Sequence, residues 1–107
     1  MEYDISFGLP DSSTDPDAVW FCYPVQSGSM IKEVCGSYPS EWAGTRCADL
    51  QPVLERAVQM LNKSPQTYRI FEDPAARITV ENTTDFLDRL CAGCRVYPTH
   101  TLNVSIT

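Results

Sequence analysis

One apolar stripe constrains this chain more than any other feature. Cys47, Leu50, Val53, Leu54, Ala57, Val58 and Leu61 recur at spacings of three and four residues, the period of one face of an α-helix. Glu55, Arg56, Gln59, Asn62 and Lys63 fill the opposite face. A helix with a single apolar side has to cover another element, so the fold is a layered one. Pro52 falls inside the pattern and has no N–H to donate. The regular helix is therefore expected to begin near Asp49, whose carboxylate can cap it, after a looser turn over residues 41–48. Ser64-Pro65 is expected to close it.

The partners of that helix read mostly as strands. Residues 2–8 alternate, with Tyr3, Ile5 and Phe7 on one side. Residues 9–17, LPDSSTDPD, are turn-forming. Residues 18–25 form a dense aromatic and β-branched run, the pattern of a central strand. Gln26-Ser27-Gly28-Ser29 supplies a turn, and residues 30–37 read as the returning strand of a hairpin. Residues 67–71 are expected as a strand with Tyr68 and Ile70 on one face. Asp73-Pro74-Ala75-Ala76 carries the signals of a helix start; a hairpin turn leading to a strand through Val80 is the alternative. Thr83 or Thr84 is expected to cap a short helix that turns Phe86, Leu87, Leu90 and Cys91 inward and stops at Gly93. Leu102, Val104 and Ile106 alternate as a final strand, expected at a sheet edge. The expected fold is a single α+β domain over residues 1–107. Its sheet is mixed, mostly antiparallel and five-stranded: a β-meander, the long helix, a strand, short helices and a last strand.

Composition supports a core: 43% of the 107 residues are hydrophobic and 21% charged. The net charge is 8 − 14 = −6, which argues against generic coating of nucleic acid, a task that needs surplus Lys and Arg. The charge is unevenly spread. Residues 1–45 hold Glu2, Asp4, Asp11, Asp15, Asp17, Glu33 and Glu41 against Lys32, a net of −6, whereas residues 46–107 hold seven acids and seven bases. That asymmetry reads either as a solvated loop or as an acidic patch aimed at a basic protein surface. No apolar run approaches a membrane span and the start MEYDIS has no signal-peptide pattern, so the expected location is cytoplasmic, with no membrane contact. The sequons at Asn82 and Asn103 are read as chance on the same ground.

Metal and thiol chemistry find incomplete sets. Asp11, Ser13, Asp15 and Asp17 alternate like the start of a calcium loop, but Pro16 stands where that loop needs Gly, and Cys22 where it needs Glu. Five cysteines, Cys22, Cys35, Cys47, Cys91 and Cys94, make an odd set, with free thiols the expectation. Cys91-Ala-Gly-Cys94 has the CxxC spacing of a zinc pair; a full zinc site would need Cys47, Cys35 or the sole histidine, His100, to complete it from a distance. No GxSxG, P-loop or GxGxxG is present.

The order of elements resembles the ribonuclease H-like fold, and two local stretches do too. Thr45-Arg46-Cys47-Ala48-Asp49-Leu50 is similar to that family's segment where an acid opens the first helix, and Arg69-Ile70-Phe71-Glu72-Asp73 to its strand ending in an acid. The resemblance implies a metal-dependent nuclease in which Asp4, Asp49, Glu72 and Asp73 would gather two Mg²⁺ ions around a phosphodiester. The family's first-strand acid falls near Phe7-Gly8-Leu9 and has no match there.

The leading expectation is a non-catalytic, small acidic binding protein that works by protein–protein contact and needs no cofactor. By analogy of style, virus- and phage-encoded inhibitors or adaptors of host nucleic-acid-handling or defence proteins are built this way. The binding surface is expected to include Asp11–Trp20, with Asp11, Asp15 and Asp17, and exposed aromatics such as Tyr38 and Trp42 as anchors; the competing and favoured reading makes Trp20 and Trp42 core and helix-entry residues. The alternatives are the Mg²⁺ nuclease, active or degenerate, and a zinc-stabilised interaction module on Cys47, Cys91, Cys94 and His100. A homodimer through the final edge strand is compatible with all three.

Overall fold

The structure, a computed structural model, describes residues 1–9 and 20–107. Three strands form one antiparallel sheet: β1 (Glu2–Gly8), β2 (Trp20–Pro24) and β3 (Thr101–Ile106), in the order β2-β1-β3. Tyr3 faces Tyr23 and Ile106, and Ile5 faces Phe21 and Val104. The alternation expected over residues 2–8 therefore holds, and Tyr3, Ile5 and Phe7 line the buried side of the central strand.

Four helices pack on that side: α1 (Gly28–Cys35), α2 (Cys47–Lys63), the single turn α3 (Pro65–Tyr68) and α4 (Val80–Val96). The stripe of α2 is buried at Cys47, Leu50, Leu54, Ala57 and Leu61. Against it lies α4, which buries Val80, Thr83, Phe86, Leu87, Leu90, Cys91 and Cys94. Tyr23 of β2 stacks on Phe86 with ring centroids 4.8 Å apart, and its hydroxyl pairs with Thr83 Oγ1 at 2.8 Å. Gly93 lets α4 close onto β1, because a Cβ there would lie 2.5 Å from Phe7 Cε2. The long stripe, the first strand and the final edge strand thus follow the sequence pattern; the second strand forms over Trp20–Pro24 but at an edge of the sheet, since β1 takes the centre by pairing on both sides.

The expected five-stranded sheet does not form; among the described residues there are three strands. Residues 30–37 are not a returning strand. Met30, Ile31 and Val34 are buried while Lys32 and Glu33 are exposed, a helical period, and Gly36 ends α1 in the left-handed conformation at φ 80°. Residues 67–71 are not a strand either. Pro65 occupies the first turn of α3 and a 3-10 turn (Arg69–Phe71) continues from it, leaving Ile70 83% exposed. Asp73-Pro74 opens only a 3-10 turn (Pro74–Ala76), closed by an isolated bridge between Asp73 and Ile78.

Two helix boundaries also move. α2 starts at Cys47 and not at Asp49, because the N–H groups of Cys47 and Ala48 donate to the carbonyls of His100 and Pro98 at 2.8 and 3.0 Å. Those carbonyls take the place of a side-chain cap. α4 begins at Val80 with Thr79 as its cap, Thr79 Oγ1 accepting from the Asn82 N–H at 3.0 Å, so Thr83 lies inside the helix and not at its start. It also runs through Gly93 to Val96, since Gly93 serves packing and not termination.

Candidate functional site

The sheet has two unlike faces. One carries the core. The other presents Glu2, Trp20, Cys22, Asn103 and Ser105 to solvent, with Asp4 half-buried and Ser6 buried among them. Strand register explains the arrangement: Asp4 stands opposite Cys22 and Ser105, and Ser6 opposite Trp20 and Asn103, so their side chains share the side away from the helices. Trp20 is 58% exposed on this face, an unusual position for so large an apolar ring.

The polar groups beside it are ordered. Asp4 accepts from Cys22 Sγ at 3.0 Å and from Thr107 Oγ1 at 2.6 Å. Those two hydrogen bonds, Thr107 first, hold the Asp4 carboxyl below its usual range. The same contact has the opposite effect on the thiol: bonding to Asp4 pushes Cys22 up to about 11. Glu2, Asp4 and Cys22 are, among the described residues, the set of three metal-capable side chains whose donor atoms all lie within 4.8 Å of one another.

Neither expected metal set is gathered in that way. Asp49 sits exposed in the first turn of α2. Glu72 is occupied as a helix cap, accepting the Val80 N–H at 2.9 Å and the Arg69 guanidinium at 3.0 Å. Asp73 lies exposed at its backbone bridge to Ile78. Of the zinc candidates, Cys47 and Cys94 are buried and meet across the α2–α4 seam, where the Cys94 thiol lowers the pKa of Cys47 by hydrogen bonding to it. Cys91 turns elsewhere, its Sγ 3.8 Å from the Gln51 carbonyl. His100 packs its ring on Tyr97 at 4.9 Å.

The expected binding residues separate. Asp11, Asp15 and Asp17 lie outside the described residues. Trp42 is 2% exposed, with its Nε1 donating to Ser37 Oγ at 2.9 Å; it is a core residue and not a surface anchor. Tyr38 is exposed, but it sits beside Gly28 and Tyr3 on the helix-covered side, with Lys32 Nζ 4.9 Å above its ring. Trp20, the last residue of the expected surface, is the aromatic that reaches solvent on the open face.

None of the ion pairs of the described residues lies on this face. All four ion pairs among the described residues lie within residues 55–95: Arg69 with Glu72 and with Glu81, Arg89 with Asp85, and Arg95 with Glu55. Among those residues, no acid of the first 45 meets a Lys or Arg. A groove of about 530 Å³ between α2 and α4, over Val58, Leu61 and Val80, has its Arg69 held by Glu72 and Glu81. No helix is long and apolar enough to cross a membrane. No protein-family model, curated protein or solved structure matches the chain.

Proposed function

We propose that this chain is a non-catalytic binding protein that engages a basic surface of a protein partner through the open face of its sheet. The observation that carries this reading is the location of the unpaired charge. The described acids of the first half, Glu2, Asp4, Glu33 and Glu41, have no cationic partner among the described residues, and Glu2 and Asp4 share a face with an exposed Trp20. Acids already paired within a molecule have little left to offer a ligand; unpaired ones beside an aromatic ring attract cations and can anchor them. The dispersal of Asp49, Glu72 and Asp73 into turn, cap and bridge positions favours this reading over metal-dependent phosphodiester cleavage.

The test is charge reversal read against a defined probe. A lysine-rich peptide should bind the wild-type protein with an affinity that falls steeply with added salt. Glu2→Lys and Asp4→Lys together, and separately Asp11→Lys, Asp15→Lys and Asp17→Lys, should weaken binding and flatten that salt dependence. Binding that is unchanged in both variants removes the acidic face from the function.

A further inference from the structure

The backbone at the border of this face has its own binding capacity, and the argument from it rests on the reading just given. In an antiparallel sheet each residue directs its N–H and C=O to one side, and the side alternates along the strand. Glu2 exchanges both of its bonds with Thr107, at 2.8 and 3.0 Å, and so faces β3. Tyr3 and Ile5 therefore face β2, where their partners are Tyr23 and Phe21. It follows that Trp20 and Cys22 point their N–H and C=O groups away from the sheet. Among the described residues nothing takes those groups. Pro24 ends this open stretch: it has no N–H, and its carbonyl accepts from Ser27 Oγ at 2.6 Å. The opposite edge is different. Over the first part of β3, Leu102 is bonded to Gly44 and Thr45 at 2.9 Å each, and Thr101 bridges to Arg46.

Side chains and backbone converge at the same place. Trp20 and Cys22, whose outward backbone groups no described residue takes, are also those whose side chains lie on the acidic face. We infer that β2 accepts an extended segment of the partner as an additional antiparallel strand, and that this segment carries arginine at every second position. Residues of the added strand that stand opposite Trp20 and Cys22 would project onto the open face. There one guanidinium lies over the Trp20 ring and the next reaches across Cys22 to Asp4 and Glu2. The geometry makes the arginine residues the same ones whose amides bond to β2.

That last point gives the test. An eight-residue peptide alternating Arg and Thr is titrated into the full chain, with the Trp20 indole and Cys22 amide resonances as readouts. Two further versions carry N-methyl groups, one on the arginine amides and one on the threonine amides. Methylation at arginine should weaken binding at least tenfold, and methylation at threonine should leave it within about twofold. Trp20→Ala should weaken the parent peptide, and the Cys22 amide should gain protection from hydrogen exchange in the complex. Equal binding of both methylated peptides overturns strand addition while leaving the basic-partner reading in place. Failure of all three peptides, and of the lysine-rich probe, overturns both.

Discussion

The open face of the sheet and the outer surface of α2 and α4 come from the same chain, and they differ in how their acids are used. On the helices, Arg95 reaches Glu55 across the seam at 2.8 Å, Arg69 links Glu72 and Glu81, and Arg89 stands one turn from Asp85. On the sheet, Asp4 has only neutral donors, the Cys22 thiol and the Thr107 hydroxyl, and Glu2 stands beside them. Arginine thus holds Glu55, Glu72, Glu81 and Asp85 on the helical side, and the sheet face is left with its charge available to others. The overall charge of −6 says nothing of this; its distribution over partners does.

The contrast can be broken most severely where the two regions join. Phe86 is 1% exposed and stacks on Tyr23, so Phe86→Ala should cost about 3–5 kcal/mol in denaturant unfolding. A smaller loss would mean that the sheet does not depend on α4 for its cover. Gly93→Ala should be next, at roughly 1–3 kcal/mol, since the new methyl group has to displace Phe7. Stability that rises, as helix propensity alone would dictate, would show that α4 stands farther from β1.

Two milder measurements sharpen the comparison without disturbing the core. On the sheet face, the Asp4 carboxylate holds the proton on Cys22. Asp4→Asn should therefore speed alkylation of Cys22 at pH 8 by roughly tenfold, as more thiolate becomes available. An unchanged rate would mean that the two side chains do not meet. On the helices, Arg95 above all holds Glu55 below its ordinary 4.5, and Arg69 does the same for Glu81. A carboxyl depressed on folding adds stability above its unfolded pKa and loses it as pH falls through the folded value. Melting temperature should thus decline as pH drops below about 4.5, with a slightly shallower slope in Arg95→Gln. An identical slope would show that the Glu55 pair contributes nothing measurable, a common outcome for exposed pairs.

Periodicity made half of the fold legible. The stripe from Cys47 to Leu61 is long enough to separate a period of 3.6 from one of 2, and the alternations at Tyr3, Ile5, Phe7 and at Leu102, Val104 are clean. Residues 30–37 were too few for that discrimination. The signal was there all the same: Met30-Ile31, Lys32-Glu33 and Val34-Cys35 come as pairs, which suits a helix, whereas a half-buried strand would alternate singly. The β-branched start of α4, Val80 with Thr83 and Thr84, hid a helix of 17 residues behind weak propensity until tertiary burial of Thr83 against Tyr23 overrode it. The site was less legible. The charge asymmetry could be counted, but that Trp20 and not Trp42 faces solvent depends on strand register, and the open edge of β2 on which neighbours β1 has.

The sheet order has a consequence in time. β1 is the central strand, yet one of its two neighbours, β3, lies at the far end of the sequence, and the carbonyls that close the start of α2 belong to the segment just before β3. During synthesis β1 would leave the ribosome with one side unpaired, and would stay so until residues 101–106 had followed. The β1–β2 hairpin can form early, but its assembly with β3 has to close a loop almost as long as the chain. Folding should therefore be late and concerted, with freshly made β1 exposed to any extended segment that arrives before its own.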